Sequence, residues 1–399
     1  MNTKELIKKF VPKFLLRVYH FKLAFLGAMI FGFPGLSKKV KIIGVTGTNG
    51  KSTTVEFITK IFEQAQIPVA SQSSIRFRIK DKELQNKFKM TMPGRFFIQK
   101  FLRQAINSGC QYVILEVTSE GIKQYRHKFI NFDTAVFTNL TPEHIEAHGG
   151  FENYKKAKAK LFQATKNVHV INIDDKNAEY FLQFPAKKKY TYGQNQGDLN
   201  LQNTKFKLQL TGDFNGYNAL AAICVGLNYG IDLELCKKAV ESLKGIPGRM
   251  EEVISEPFKV FVDYAFTPNA LEKVYKTFDG KDLICVLGAC GGGRDKWKRP
   301  VLGQIANNYC KEVIVTNEDP YDEDPMEIIN QVSQSIPKAK KILDRKEAIE
   351  TAIKLAKPGD VVVITGKGSE PLMCVENGRK IPWDDRKIVR EEFKKIFTP

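Results

Sequence analysis

GVTGTNGKSTT, Gly44 to Thr54, follows the run Val40-Lys41-Ile42-Ile43, and the fold is read outward from this stretch. A short β-prone run, a glycine-rich turn and a Lys-Ser pair opening an amphipathic segment make a phosphate cradle. Backbone N–H groups and a helix N-terminus face the anion. Lys51 supplies a point charge to the terminal phosphates, and the Ser52 hydroxyl is placed to ligate Mg2+. The general GxxxxGK[ST] spacing is not met, because Val45 stands five residues before Gly50; the loop is the narrower TGTNGKS. The competing reading, a glycine-rich turn before an ordinary helix, sits poorly with the strand-loop-helix context. Gly47, Thr48, Asn49, Gly50, Lys51, Ser52 and Thr53 are therefore expected to bind ATP with Mg2+.

Outward from the loop, strand-like and helix-like stretches alternate. Strands are expected at 40–45, 112–117, 134–138 and 168–173, and helices at 53–64, 95–108, 151–164 and 218–228. Such alternation builds βαβ units and a mostly parallel sheet. Residues 187–210 are polar with short alternating runs and read as a β-hairpin insertion. Turn formers at Gly245-Ile246-Pro247-Gly248-Arg249 mark a boundary. Beyond it come strands at 260–263, 283–287, 312–316 and 361–365, with helices at 269–277, 301–309, 325–335 and 345–357. The expected class is α/β: an N-terminal segment (1–39), a P-loop NTPase-like central domain (40–245) with a mostly parallel sheet, and a Rossmann-like C-terminal domain (246–399).

The chain has 399 residues, 43% hydrophobic and 27% charged, a globular composition sufficient for two or three domains. Its formal charge of +18 calls for an anionic partner without choosing among nucleotide, nucleic acid, membrane and acidic substrate. The seven cysteines are widely spaced and include no CxxC pair, so neither a zinc site nor a disulfide framework is expected. A cytoplasmic location is the expectation.

Residues 1 to 41 hold nine Lys or Arg and a single acid, Glu5. Leu6, Ile7, Phe10, Val11, Phe14, Leu15 and Val18 recur at helical spacing, with Pro12 expected to kink or end a first turn. The apolar run Leu23–Phe33, closed by Pro34-Gly35, is too short for a bilayer span of about 20 residues. No small-x-small cleavage site follows, which argues against a signal peptide. A helix lying in the interface of an anionic membrane is expected, peripheral to its inner face. The alternative is a helix packed on its own domain or on a second subunit.

Two further residues carry chemistry. Glu116 ends the apolar strand from Tyr112, and ligands of open α/β sheets bind at the carboxyl ends of strands. A carboxylate there suits Mg2+. His144, in TNLTPEH from Thr138, follows the next strand end and is placed to ligate a metal or orient a phosphate.

TGTNGKST, EVTSEG from Glu116, TNLTPEHIEAHG from Thr138 and YKKAKAKLF from Tyr154 resemble the Mur ligases, ATP-dependent amide-forming enzymes of peptidoglycan precursor synthesis. DFNGYNALAA from Asp213, PGRMEEV from Pro247, DYAFTPNALEKV from Asp263, GACGGGRDKWKRP from Gly288 and GDVVVITGKGSE from Gly359 extend the resemblance to the C-terminus, and DDR from Asp384 adds to it. It is strongest to the members that add the third residue of the stem peptide to a muramyl peptide. It implies that ATP phosphorylates a carboxylate and that an amino acid's amine attacks the acyl phosphate. Lys51 would stabilise the transferring group, Ser52 and Glu116 would hold one Mg2+, and His144 a second. Lys158 matches a lysine that becomes carbamylated, which would turn its ammonium into an anion able to join the metal site and approach Mg2+. Asn139, Asn215, Asn218, Arg249, Asp263, Arg294 and Lys296 would bind ATP, with the C-terminal residues completing its site on closure. Thr91, Thr118 and Ser119 would face the acceptor, and Glu318, Asp319, Tyr321 and Glu370 the amino acid.

Three departures qualify what the resemblance implies. Residues 1–39 are too short for the family's uridine-diphosphate-binding domain, so a lipid-linked acceptor at the membrane is an alternative substrate. Tyr321 replaces the arginine that binds the distal carboxylate of diaminopimelate, and Tyr cannot form a bidentate pair with a carboxylate. With Asp322, Glu323 and Asp324 beside it, the segment suits a cationic side chain such as lysine or ornithine, unless these acids merely open the following helix. Glu120, Phe266 and Ser369 stand where histidines are common.

A folylpolyglutamate synthetase-like ligase is a weaker match, since GRMEEV, DYAFTP and GKGSE favour the cell-wall branch. A nucleic-acid-binding NTPase would need aromatic and basic residues interleaved. None stands out, so no nucleic acid is expected. A silent membrane scaffold is disfavoured because Lys51, Glu116, His144 and Lys158 are all present.

Overall fold

The computed structural model describes residues 12–397 and divides into two compact units, each discontinuous in sequence. The first comprises the chain up to Pro142, Gly149–Gln209 and Phe214–Lys244. The second comprises Glu143–His148, Leu210–Asp213 and the chain from Gly245.

The first unit is built on a nine-stranded sheet: β1 (Lys41–Thr46), β2 (Val69–Gln72), β3 (Arg76–Ile79), β4 (Lys82–Gln85), β5 (Tyr112–Glu116), β6 (Phe132–Phe137), β7 (Val168–Asn172), β8 (Lys188–Gly193) and β9 (Leu199–Asn200), in the order β4-β3-β2-β5-β1-β6-β7-β8-β9. Seven strands run parallel, and β3 and β4 join antiparallel at one edge. Ile42, Ile43 and Val45 of β1 are fully buried, as expected of a parallel strand covered on both faces. Side chains such as Phe132, Phe137, Leu161 and Phe162 fill the core, each stabilising the fold by about 1.5–3 kcal/mol when buried. Packing is tight enough at Gly44 that a Cβ there would lie 2.9 Å from the Phe132 ring and 3.0 Å from Leu161.

Parallel pairing aligns Val45 of β1 with Glu116 of β5 and Thr46 with Phe137 of β6. The residues that leave these three strands therefore emerge on one edge, where open α/β sheets bind ligands. The helix Lys51–Gln64 leaves β1, and the helix Phe151–Ala164 precedes β7. The α/β class and the mostly parallel sheet expected from the sequence are both present.

Several local features differ from the sequence reading. Residues 187–210 are no hairpin insertion: β8 and β9 extend the parallel sheet beyond β7. The half-exposed residues of β8 hide this, although Tyr192 is buried and donates to the Phe137 carbonyl at 3.0 Å. The β2-β3-β4 extension was missing from the reading. At the N-terminus one helix, Lys13–Ile30, begins directly after Pro12 and absorbs most of the apolar run; the expected helical positions 6–11 lie outside the described residues. Its stripe of Leu16, His20, Leu23, Ala24, Gly27 and Ala28 is buried or half-buried and turns toward the helix Arg95–Asn107.

The second unit has a six-stranded sheet: β10 (Glu251–Ile254), β11 (Lys259–Val262), β12 (Leu283–Leu287), β13 (Glu312–Thr316), β14 (Lys340–Ile342) and β15 (Val361–Ile364), ordered β10-β11-β15-β12-β13-β14. All are parallel except β10. A small hairpin of β16 (Leu372–Cys374) and β17 (Lys380–Pro382) precedes a terminal helix, Asp385–Phe397, absent from the sequence reading. Arg345 and Asp385, both fully buried, form a bidentate pair at 2.9 and 2.8 Å that ties this helix to the helix Arg345–Leu355. A further difference is a disulfide between Cys285 of β12 and Cys310, whose Cα atoms lie 6.0 Å apart. Cys310 closes the helix Lys298–Tyr309 just before β13 returns beside β12, a proximity made by topology, which a spacing of 25 residues does not reveal.

Candidate active site

In the first unit the turn after β1 is held by the strand end after β6. Thr48 N–H donates to the Asn139 carbonyl at 2.8 Å, Asn49 N–H to Asn139 Oδ1 at 2.9 Å, and Thr138 Oγ1 to the Asn49 carbonyl at 2.7 Å. Gly50 has φ +80°, and a Cβ there would lie 2.3 Å from Asn218 Oδ1. Only glycine meets both demands, the left-handed backbone and the close approach. Asn218 also accepts from Thr54 Oγ1 at 3.3 Å and donates to Asn215 at 3.1 Å, which brings both asparagines to the loop. Thr53 is buried in the first helical turn.

Lys51 Nζ folds back onto the Thr48 carbonyl at 2.8 Å and stands 3.9 Å from Glu116 Oε1. Ser52 Oγ donates to Glu116 Oε2 at 2.9 Å. Ser74, absent from the sequence reading, adds its backbone N–H to the same oxygen at 2.8 Å and its hydroxyl to Ser52 at 2.7 Å. No local motif marks Ser74; it arrives because β2 pairs with β5 and ends beside it. A hydroxyl and a carboxylate so close together are hard oxygen donors of the kind Mg2+ takes.

Lys158, on the helix Phe151–Ala164, is buried and donates to the Gly47 carbonyl at 2.6 Å. Its ammonium lies 4.7 Å from the Tyr154 ring centroid, and Tyr154 Oη meets Thr48 Oγ1 at 3.1 Å. Burial, reinforced by the Lys51 charge and opposed by Glu116, holds the Lys158 amine well below the usual lysine range. A lysine so placed favours its neutral, nucleophilic form.

Thr118 caps the short helix Ser119–Lys123 by accepting from Gly121 N–H at 3.1 Å. Ser119 is buried at its start. Thr91 receives the Gln72 side-chain amide through its carbonyl, and Met92 packs against Gly121, so the three expected acceptor-facing residues cluster.

In the second unit His144 has φ +56°, a conformation costing a non-glycine residue of order 1 kcal/mol or more. Its neighbours are clamped. Glu143 pairs with Lys298 at 2.8 Å, both buried, and Asp295 accepts from Ile145 and Glu146 N–H at 3.0 Å each. Burial raises the Glu143 pKa despite that pairing. Glu143, Asp295 and Lys298 were not singled out from sequence, although Asp295 and Lys298 lie within GRDKWKRP. Phe266, the expected histidine position, faces Lys298 Nζ at 4.9 Å from its ring centroid.

Asp263 accepts from Met250 and Ala265 N–H at 2.7 Å each. Arg249 lies over the Tyr264 ring at 4.4 Å, and Tyr264 Oη donates to Glu370 at 2.9 Å. Lys367, also missed, is fully buried and joins Asp319 at 2.9 Å to Glu370 at 3.0 Å. Glu318 accepts from Cys290 Sγ at 2.9 Å, and burial pushes both the Glu318 carboxyl and the Cys290 thiol up. Tyr321, at φ +53°, packs against Gly292. Lys296 pairs with Glu323 at 3.2 Å, while Arg294 is tied through its backbone N–H to Gly291.

The flanking acids have structural partners. Asp324 caps the helix Pro325–Ser333, Glu323 pairs with Arg299 at 2.9 Å, and Asp322 accepts from Asn377 N–H at 2.8 Å. The acids at 322–324 that suggested a cationic side chain are therefore already partnered, as is Asp319 by Lys367.

Residues 45–226 match the Mur ligase middle domain, and residues 248–368 match the Mur ligase glutamate ligase domain. The UDP-N-acetylmuramoyl-L-alanyl-D-glutamate–2,6-diaminopimelate ligase of Syntrophomonas wolfei is 38% identical over 401 residues, covering 92% of this chain and 81% of that protein. A solved structure of an enzyme with that name is 32% identical, with a TM-score of 0.61, covering 91% of this chain and 80% of its own. The folylpolyglutamate synthase of Mycobacterium tuberculosis, solved with ADP and AMPPCP, shares the fold at 16% identity, with a TM-score of 0.72 over 96% of this chain and 98% of its own.

Proposed function

The chain belongs to the Mur ligase family of ATP-dependent amide-forming ligases, and from that premise we propose that it joins an amino acid to the carboxylate of a muramyl-peptide precursor as the third stem residue. The observation that carries this reading is the buried Lys158 on the Gly47 carbonyl, beside a loop whose Ser52 and Lys51 face Glu116.

In this reading the acceptor carboxylate takes the terminal phosphoryl group of ATP, forming a C–O–P linkage while ADP leaves. The amino acid's neutral amine then attacks the acyl carbon. A C–N bond forms, phosphate departs with its oxygen, and the amine proton is lost to solvent. Lys51 and the N-terminus of the helix Lys51–Gln64 hold the phosphates in line, which is most of what phosphoryl transfer asks of a protein. Ser52 and Glu116 would hold Mg2+, with His144 on a second ion; the metal supplies charge neutralisation at the phosphates. The depressed pKa of Lys158 suits carbamylation, because a free amine is the form that adds CO2. Asn139, Asn215, Asn218, Arg249, Asp263, Arg294 and Lys296 are assigned to ATP, and Thr91, Thr118 and Ser119 to the acceptor.

Glu318, Asp319, Tyr321 and Glu370 are assigned to the amino acid. Tyr321 offers no fork for a distal carboxylate, so lysine and ornithine lead the candidates. Phosphate release measured across the amino acids plus diaminopimelate and ornithine, with nucleotide-linked and lipid-linked muramyl dipeptides, tests the assignment. Release that requires one acceptor and one amino acid is expected; release independent of every amino acid would remove the ligase reading.

A further inference from the structure

The helix Lys13–Ile30 buries one stripe and exposes the opposite half. Phe14, Leu15, Val18, Tyr19, Phe21, Phe25, Leu26, Met29 and Ile30 are all exposed, Phe14 by 62%, Tyr19 by 57% and Met29 by 48%. At 100° per residue these positions fill one continuous half of the helix surface, interrupted only by Lys22. The face is about 27 Å long. It continues onto the body of the unit, since the Phe129 ring lies 5.5 Å from Phe21, 5.6 Å from Phe25 and 6.1 Å from Phe33. An apolar surface of this extent marks an interaction site.

Charge identifies what covers it. The stretch from Pro12 to Lys51 contains no acidic residue. Beside Phe129, a pocket of about 390 Å³ is lined by Ile122, Tyr125, His127, Lys128, Lys160, Gln163 and Ala164, again without an acid. Arg17 and Lys128 are close enough to Lys160 to depress its pKa further after burial has lowered it, so three cations crowd together. His127 Nδ1, in the same lining, has no hydrogen-bond partner among the described residues. An apolar plane rimmed by clustered cations complements a surface that is anionic outside and hydrocarbon beneath. Lys22, amid the apolar face, has a stem long enough to reach the headgroups while its neighbours insert. None of the described helices is long and apolar enough to cross a membrane.

We propose that the exposed face of Lys13–Ile30, with the Lys128–Lys160 pocket, docks the protein onto an anionic phospholipid bilayer, the pocket receiving a lipid phosphate. Lys160 and Gln163 share their helix with Lys158, so docking would present the back of the helix that carries the catalytic lysine. The proposal is independent of which amino acid is ligated.

Co-sedimentation of the full chain with phosphatidylcholine vesicles, with and without phosphatidylglycerol, tests it. Binding is expected only with phosphatidylglycerol. Phe25→Asp with Met29→Asp, and separately Lys128→Glu with Lys160→Glu, should each weaken it by about tenfold or more. Circular dichroism and ATP binding should be unchanged, since all four side chains lie away from the phosphate loop. No binding to either vesicle, or equal binding to both, would overturn the proposal. So would a wild-type dimer in solution that either double variant dissociates, because the face would then belong to a second copy.

Discussion

Lys158 Nζ donates to the Gly47 carbonyl at 2.6 Å in a fully buried setting, joining the helix Phe151–Ala164 to the first glycine of the phosphate loop. The contact connects two motifs that are 111 residues apart and gives the loop a titratable neighbour. Lys158→Met should lower ligation roughly a hundredfold or more while leaving ATP binding measurable. Partial recovery by added short-chain carboxylates would support the carbamate role. Full activity in the variant would reject it.

The same lysine predicts a pH effect on folding. Its folded pKa lies well below that of the unfolded chain, so between the two values the unfolded state binds the extra proton. Stability therefore rises with pH across that window. Urea titrations should show a weaker alkaline rise in Lys158→Met than in the wild type.

His127 supplies a second titration, on the acid side. Burial, then Lys128 and Lys160, lower its pKa from 6.5 to about 4. The unfolded chain takes up a proton first as pH falls, so stability is lost progressively from about 6.5 down to 4, by about 3 kcal/mol. His127→Gln should flatten that slope, measured as unfolding midpoint against pH.

Tyr321 and Gly292 locate the specificity test. If Tyr321 occupies the position from which a distal carboxylate is read, Tyr321→Arg should raise use of diaminopimelate relative to lysine by roughly tenfold. An unchanged ratio would separate this residue from substrate choice.

Arg345 and Asp385 test the frame of the second unit. Asp385→Ala leaves a buried guanidinium without its bidentate partner and should cost about 3–5 kcal/mol, read as a lowered melting temperature.

The sheet and the glycine-rich turn after β1 were legible in the sequence because their physics is local. Continuous apolar runs bounded by Gly, Asn and Thr place the strand ends that carry Gly47, Glu116 and Asn139, and the helix 151–164 was read to its observed limits. Interactions that depend on which strands become neighbours were not legible. Ser74 reaches Glu116 only through the pairing of β2 with β5, and Cys285 meets Cys310 only because β12 and β13 are adjacent. Lys298 and Lys367 look like surface charges in sequence and are buried in the fold, each held by acids distant along the chain. β8 read as a hairpin arm because several of its side chains face solvent.

The most direct test of acyl-phosphate ligation uses an acceptor whose carboxylate oxygens carry a heavy-isotope label. After one turnover with ATP and the preferred amino acid, one labelled oxygen is expected in the released phosphate, carried from the acceptor through the C–O–P linkage. Unlabelled phosphate alongside amide product would contradict it.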